Sequence, residues 1–456
     1  TTEIYTLSLH DALPIWMNSA TTSPDTIPEI LPGIELSEEQ WDAIQAIEDF
    51  LQSPSKLYLL TGYAGTGKTT LLQALVTHLR EHGCDWPIAL TAFSNKATKV
   101  LKTMATQWGL KQVESVTCCR LLGLKPVIDT GSGEQIFKSV SDQHNQVPDY
   151  RLVIVDECSM INQEMWKLLV EAISRLDIPT QMLFVGDPAQ LPPVNETESC
   201  CFSQIMHQSS LSQVIRYGGA IGVIADDIRR NIERAQLPRY ESDVNCDRTE
   251  GFFVPPKAPW RDVLIRAFTC DKYKADPNYV RVLAYTNQRV KVLNRMIRRA
   301  IYGDDLAQFV PGERLIANNP CLEEGGIILQ TSEECEVLEV KPGKIEGMPV
   351  WQLVVYTEEG KFQDLTVLQE VSVPDYERRS RDYATNKQWE IFWEFRQQFH
   401  DVNYAYSLTV HKSQGSTFQD VFIDLPDLIR NSKVIERNQL CYVAFTRAAK
   451  RVFIYQ

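Results

Sequence analysis

Paired cysteines are what this sequence lacks first: none of its eleven cysteines forms a Cys-x-x-Cys pair. The neighbours Cys118 and Cys119, and Cys200 and Cys201, cannot easily bridge each other. A reduced, cytoplasmic chain is therefore expected. No run approaches the roughly 18 to 20 uninterrupted apolar residues of a membrane span, so no membrane partner is expected. A positive excess is missing as well. Lys and Arg number 46 against 59 Asp and Glu, a net charge of −13. That balance argues against a protein that simply coats nucleic acid, while leaving room for a local basic track. Hydrophobic residues at 44% and charged residues at 23% exclude disorder throughout, collagen and coiled coil. The 456 residues correspond to about three domains at roughly 150 residues each.

An initiator is absent too. The chain opens Thr1-Thr2-Glu3, and its first methionine is Met17. Residues 4–15 are mildly apolar but include His10 and Asp11 and follow no basic segment, which makes a poor signal peptide. Residues 1–16 look like translated sequencing-adaptor readthrough, and the natural protein is expected to begin at Met17. Residues 18–33, rich in Ser, Thr and Pro, continue as a loose segment, so 1–35 is expected to be a disordered lead-in.

From Leu36 the pattern becomes regular. Ser37 before Glu38, Glu39 and Gln40 reads as an N-cap with an acidic first turn, opening a helix through about Gln52. Short β-branched runs then alternate with amphipathic stretches. Strands are expected at Leu57–Leu60, Ile88–Thr91, Leu152–Val155, Met182–Val185, Val280–Ala284, Tyr406–Val410, Val421–Ile423 and Val452–Tyr455. Helices are expected at Thr69–His82 and Gln288–Tyr302. This alternation predicts an α/β fold with parallel sheets covered by helices. Lys125–Asp129 and Glu134–Ser139, flanking Thr130–Gly133, read as an inserted β-hairpin. Ile327–Gln330, Glu334–Val340 and Val350–Tyr356 suggest a small antiparallel barrel. The helical stretch Tyr376–His400 carries Trp389, Phe392, Trp393 and Phe399, most simply as core packing.

The strongest local signal is Gly62-Tyr63-Ala64-Gly65-Thr66-Gly67-Lys68-Thr69, which follows a strand and opens a helix. That is the context of a phosphate-binding loop. Its glycines let backbone N–H groups curl around phosphates, Lys68 supplies a point charge, and the Thr69 hydroxyl can ligate Mg²⁺. A bland Gly-rich turn would not explain Lys68 and Thr69. A buried strand then delivers Asp156 and Glu157 at its C-terminal end, where α/β sheets place ligands. Asp156 suits Mg²⁺, and Glu157 suits orientation or deprotonation of an attacking water. Gln190, in Gly186–Pro193, can sense a γ-phosphate or sit in an ordinary Pro-rich turn. Arg447, in Tyr442–Arg447 before the last strand, is either a surface cation or a cis arginine finger. Arg216 is ambiguous in the same way.

Taken in order, Gln40, the phosphate loop, Thr91–Ala97, Asp156–Met160, Gly186–Pro193, Arg216, Val410–Ser416 and Tyr442–Arg447 resemble a superfamily 1 DNA helicase of the Dda and RecD-like branch. The resemblance runs from about Leu36 to Tyr455. It implies two RecA-like P-loop domains sandwiching ATP: 36–117 with 151–215, and 216–312 with 401–456. It also implies a strand-separating hairpin insertion at 118–150 and an SH3-like barrel plus helical insertion at 313–400. By position it assigns the nucleotide to Gln40 (as adenine reader), Gly62, Ala64, Gly65, Thr66, Gly67, Lys68, Thr69, Thr70 and Gly415, and DNA to Phe93, Ser94, Thr117 and His411. Phe93 departs from the family's usual proline. The implied activity is ATP- and Mg²⁺-dependent, 5′→3′ movement on single-stranded DNA with duplex separation, in replication, recombination or repair. Single-stranded and forked DNA are the implied partners, with single-strand-binding or replisome proteins beside them, and the active form is expected to be a monomer.

A basic track is sought in Val280–Ile301, which holds Arg281, Arg289, Lys291, Arg295, Arg298 and Arg299 without one acid. Lys96, Lys99 and Lys102 form a second cluster. Such faces are more often solvated surface. A P-loop phosphotransferase would explain the phosphate loop but not the second, Arg447-bearing α/β unit. A decayed DNA-binding protein would not retain Lys68, Glu157 and Arg447 together. A translocase that strips proteins but unwinds poorly stays open.

Overall fold

The computed structural model describes residues 34–128, 135–139, 145–174, 178–214, 219–304, 307–323, 326–357 and 360–456. The lead-in up to residue 33, the Thr130–Gly133 turn and Arg216 lie outside them. The first helix, Glu38–Gln52, starts with the expected capping box. The Ser37 hydroxyl accepts the Gln40 N–H at 3.3 Å, and Gln40 Oε1 accepts the Ser37 N–H at 2.9 Å.

Strands β1 (Leu57–Gly62), β2 (Ile88–Ala92) and β3 (Val113–Thr117) come next. β4 (Leu124–Ile128) and β5 (Gln135–Ser139) pair antiparallel with each other, Lys125 opposite Lys138. β6 (Leu152–Asp156), β7 (Gln181–Gly186) and β8 (Gln208–Leu211) complete a parallel sheet in the order β3-β2-β6-β7-β1-β8. Every residue of β2 and β6 is buried, because helices cover both faces. Period-two alternation sends Leu152 and Ile154 toward the helices Lys68–Glu81 and Asn95–Gln107, and Val153 and Val155 toward the helix Gln163–Ile173.

The second unit begins with β9 (Asp243–Val244), β10 (Gly251–Phe253) and β11 (Val280–Ala284). An excursion follows, made of β12 (Arg314–Ala317), β13 (Cys321–Glu323), β14 (Gly326–Leu329), β15 (Glu334–Ile345), β16 (Met348–Thr357), β17 (Phe362–Leu368) and β18 (Val402–Tyr404). Five of these build an antiparallel sheet ordered β17-β16-β15-β12-β18, and β13 pairs with β14. β19 (Ser407–Thr409), β20 (Phe418–Asp424) and β21 (Ala448–Tyr455) then return to the main sheet, ordered β19-β11-β20-β21-β10-β9. Only β9 runs antiparallel there.

The single helix expected at Tyr376–His400 is two, Val373–Thr385 and Trp389–Gln397. The chain turns at Lys387, which takes a left-handed φ of 53° and cannot continue a right-handed helix. The aromatic stripe divides accordingly. Phe395 and Phe399 are buried against Met348 and Val350, whereas Trp389, Phe392 and Trp393 are half-buried and meet edge to face. The main sheets share a core across their interface. Ala189 and Leu191 of the first unit pack in one cluster with Leu440, Tyr442 and Phe445 of the second.

Candidate functional site: a cleft between two sheets

The helix Lys68–Glu81 receives β1 through a glycine turn. Its N-cap, Gly67, has φ 79°, a left-handed conformation that favours glycine, and no side chain caps the helix. The N–H groups of the first turn thereby remain aimed at an anion. The Lys68 ammonium curls over the loop and donates to the carbonyls of Gly62 (2.6 Å) and Tyr63 (3.0 Å). The Thr66 hydroxyl closes the turn on the Tyr63 carbonyl at 2.9 Å.

Asp156 ends β6 and is 8% exposed. Its Oδ1 accepts the Glu157 N–H at 2.9 Å, and Glu157 holds a left-handed φ of 52°, a conformation costly for a residue with a Cβ and typical of functional turns. Burial, followed by the charge of Glu157, pushes the Asp156 carboxyl well above the usual carboxylate range, with Lys68 opposing. A neighbouring cation would restore its charge. Glu157 Oε2, Gln190 Oε1 and the Ser416 hydroxyl are buried without a hydrogen-bond partner among the described residues, so each is available to a ligand.

These groups meet in one cleft of about 470 Å³. Ala64, Gly65, Gly67, Lys68, Thr69, Asp156, Glu157 and Gln190 line one wall, and Gly415, Ser416, Thr446 and Arg447 line the other. The walls approach closely at Gly415, whose φ is 72° and where a Cβ would sit 3.3 Å from that of Ala97. Arg447 is buried; its guanidinium donates to the carbonyls of Val443 and Ser416, each at 3.3 Å. Mg²⁺ takes oxygen ligands, and the Thr69 hydroxyl with the Asp156 and Glu157 carboxylates offers such a donor set. Gly62, Thr66 and Thr70 flank the cleft without lining it.

Gln40 stands behind the phosphate loop. It is 2% exposed, its Nε2 donates to the Thr66 carbonyl at 3.1 Å, and its Oε1 caps Ser37. Both ends of the amide are hydrogen-bonded to the chain, so Gln40 braces the phosphate loop.

The strand-contact candidates of the first unit are brought together. Ala92 of β2 lies in register between Thr117 of β3 and Asp156 of β6, so Phe93, Ser94 and Thr117 stand beside the acidic pair at the C-terminal edge of the sheet. The Ser94 and Thr117 hydroxyls also cap helices, accepting the N–H of Ala97 and Arg120, each at 3.2 Å. Phe93 packs partly into the core. His411 follows β19 in the second sheet, half-buried, with its imidazole pKa lowered by burial.

The basic run 280–301 is not a free track. Arg281, fully buried, pairs with Glu334 at 3.0 Å, Arg289 with Asp424 at 2.5 Å and Arg298 with Glu313 at 2.6 Å. Arg299 meets Asp304 and Arg295 meets Glu370 at the surface. Glu334, Asp424 and Glu370 come from distant segments, and Asp304 and Glu313 lie just past the end of the run, which is why its own composition missed them. Glu334 also takes Lys96 of the first unit at 3.5 Å. Burial alone would raise its carboxyl, but Arg281, Lys96 and Arg314 hold it down at about 2.

Fold and cleft define a P-loop protein built on two RecA-like α/β sheets. Comparison with known proteins carries this further. A family model described as an AAA domain matches residues 35–245, and one described as a UvrD-like helicase C-terminal domain matches 404–455. The ATP-dependent DNA helicase dda of Enterobacteria phage T4 is 25% identical over 459 residues, covering 92% of this chain and 99% of that protein. The uncharacterized protein R530 of Acanthamoeba polyphaga mimivirus is 24% identical over 494 residues, covering 91% and 98%. A solved structure of two coordinating Pif1 helicases at forked double-stranded DNA shares the fold at a TM-score of 0.50 and 16% identity, covering 92% of each chain. This chain is a superfamily 1 helicase of the Dda/Pif1-like kind. No helix among the described residues is long and apolar enough to cross a membrane.

Proposed function

We propose that the protein is an ATP-hydrolysing DNA helicase that moves 5′→3′ on single-stranded DNA and separates duplexes ahead of it. The observation that carries this reading is the cleft. A phosphate loop with an acidic pair from one sheet faces Arg447 from the other, so hydrolysis can be tied to relative motion of the two units. The backbone N–H groups of Gly65 and Gly67–Thr69 and the Lys68 ammonium hold the phosphates, with Ala64 and Thr66 shaping the loop. Glu157 orients or deprotonates the attacking water, Gln190 senses the γ-phosphate, and Arg447 neutralises charge that develops in the transition state. Thr69 and Asp156 would hold Mg²⁺, which supplies electrostatic stabilisation of the phosphate oxygens when bound. Arg216 is assigned to the junction between the units by family position alone.

Phe93, Ser94, Thr117 and His411 are assigned to the single strand. Hydroxyl and backbone contacts with few free charges suit a motor that must release DNA repeatedly. The β4–β5 hairpin is assigned as the strand-separating pin, and the five-stranded sheet as an SH3-like module. Domain limits follow the sequence expectation, 36–117 with 151–215 and 216–312 with 401–456. Partners are single-stranded and forked DNA, with single-strand-binding or replisome proteins beside them, in replication, recombination or repair. The protein is assigned as an active monomer in the cytoplasm.

Strand displacement on duplexes bearing either a 5′ or a 3′ single-stranded tail tests the reading. ATP-dependent unwinding of the 5′-tailed substrate is expected. Unwinding only with a 3′ tail would reverse the polarity. DNA-stimulated ATP turnover with no unwinding of either substrate would leave a translocase.

A further inference from the structure

Tyr442 stands in the middle of the helix Val434–Thr446, whose C-cap is Arg447. Its ring is buried in the core that joins the two units, which alone would make it a packing residue. Its hydroxyl, however, reaches into the first unit at two points. It accepts the N–H of Ala64, in the phosphate loop, at 2.9 Å, and donates to Asp187 Oδ2 at 2.8 Å. Asp187 is fully buried and through Oδ1 accepts the Ala189 N–H at 2.9 Å, one residue from Gln190. Burial, and then the Asp187 charge, raises the phenol pKa, so the proton needed for the second bond stays in place. One oxygen atom thus joins the phosphate loop, the Gln190 turn and the helix that ends in Arg447. The guanidinium of Arg229 also stacks 3.6 Å from the centre of the Tyr63 ring, so the second unit grips this end of the loop from two sides.

A helix carries position along its axis with little give, and five residues amount to about 7.5 Å. Docking the Tyr442 hydroxyl on Ala64 and Asp187 therefore fixes where Arg447 arrives. On the reading of Arg447 given above, we propose that Tyr442 is a positioning residue that sets Arg447 against the phosphate loop whenever the cleft closes. Nothing in it need touch nucleotide. Its effect falls on turnover, because Arg447 acts on charge that develops in the transition state.

Tyr442→Phe removes one oxygen and keeps the packed ring. In the full chain with single-stranded DNA present, Y442F should lower kcat by about 10-fold or more, because the bond to the charged Asp187 and the one from the Ala64 N–H are both lost. KM for ATP should stay within about 3-fold, and the melting temperature should move little. Asp187→Asn, which spoils the same contact from the other side, should reproduce the kcat loss if Y442F folds poorly. The deciding readout is the double variant Y442F/R447A. Acting through Arg447, Tyr442 should add nothing, and the double variant should match R447A within about 2-fold. Multiplied losses would mean that Tyr442 works independently, and an unchanged kcat in Y442F and D187N would mean that it only packs; either overturns the proposal. Normal turnover by R447A alone would instead refute the role given to Arg447, leaving Tyr442 nothing to position.

Discussion

β1 runs into the helix Lys68–Glu81 through glycines, and β11 runs into the helix Asn287–Tyr302 through Tyr285 and Thr286. Both junctions place the N–H groups of a helix start at the C-terminal end of a parallel strand, the arrangement that attracts anions. In the first sheet no side chain caps the helix, and the cationic Lys68 stands at the mouth. In the second, the protein supplies the anion itself. Asp427, buried, accepts the N–H groups of Tyr285 (2.8 Å) and Thr286 (2.7 Å), while the Thr286 hydroxyl caps Arg289 at 3.2 Å. A strand-to-helix junction is thus a ligand site only where the chain leaves its donors unclaimed. Charge around the two junctions follows the same division. Glu157 and Gln190 keep buried atoms without hydrogen-bond partners among the described residues, whereas Arg281, Arg289, Arg298 and Arg451 are each paired with a buried acid.

Removing charge should therefore cost turnover at the first junction and stability at the second. Lys68→Ala should reduce ATP turnover by about 10²- to 10³-fold or more. It should leave the melting transition nearly unchanged, since only two loop hydrogen bonds are lost. Near wild-type turnover in a steady-state ATPase assay would end the phosphate-loop assignment. Glu334→Gln should show the opposite pattern, a loss of about 3–5 kcal/mol in denaturant unfolding, because Arg281 would be left buried without its counter-charge. The same carboxylate gives the pH dependence its sign. Its folded pKa of about 2 lies below the ordinary 4.5, so its stabilisation is complete above 4.5 and fades as pH falls toward 2. Acid unfolding of wild type and Glu334→Gln should converge over that window, and a constant gap would contradict the pairing. Asp427→Asn should have the smallest effect, about 1–3 kcal/mol, with turnover little altered. A large loss of turnover at unchanged stability would show that the second junction is no mere structural cap.

What could be read beforehand was what short segments determine by themselves. The Ser37/Gln40 box, the glycine loop with Lys68 and Thr69, and Asp156-Glu157 after a β-branched run each need only their neighbours. Eight strands emerged from apolar runs for the same reason, most with ends shifted by no more than a residue or two, though those at Val421 and Val452 start three and four residues earlier than expected. Contacts closed by the fold were not legible. No local rule says that Glu334 neutralises Arg281 and Lys96, or that Asp427 fills the start of a helix 140 positions earlier. Nor does any local rule say that the Tyr442 hydroxyl meets Ala64 and Asp187. The Gln40 amide faces Thr66, a direction that spacing cannot give. β12 and β18 escaped because strands this short need their partners to exist.

On the proposed reading, two sheets divide the work, one holding the nucleotide and the other bringing the group that makes it react. Nucleotide affinity and ATP turnover of Arg447→Ala, measured side by side with single-stranded DNA present, test that division most directly. Affinity should stay within about 3-fold of wild type while turnover falls by about 10³- to 10⁵-fold. Equal loss of affinity and turnover would make Arg447 part of the binding wall, and unchanged turnover would contradict the division altogether.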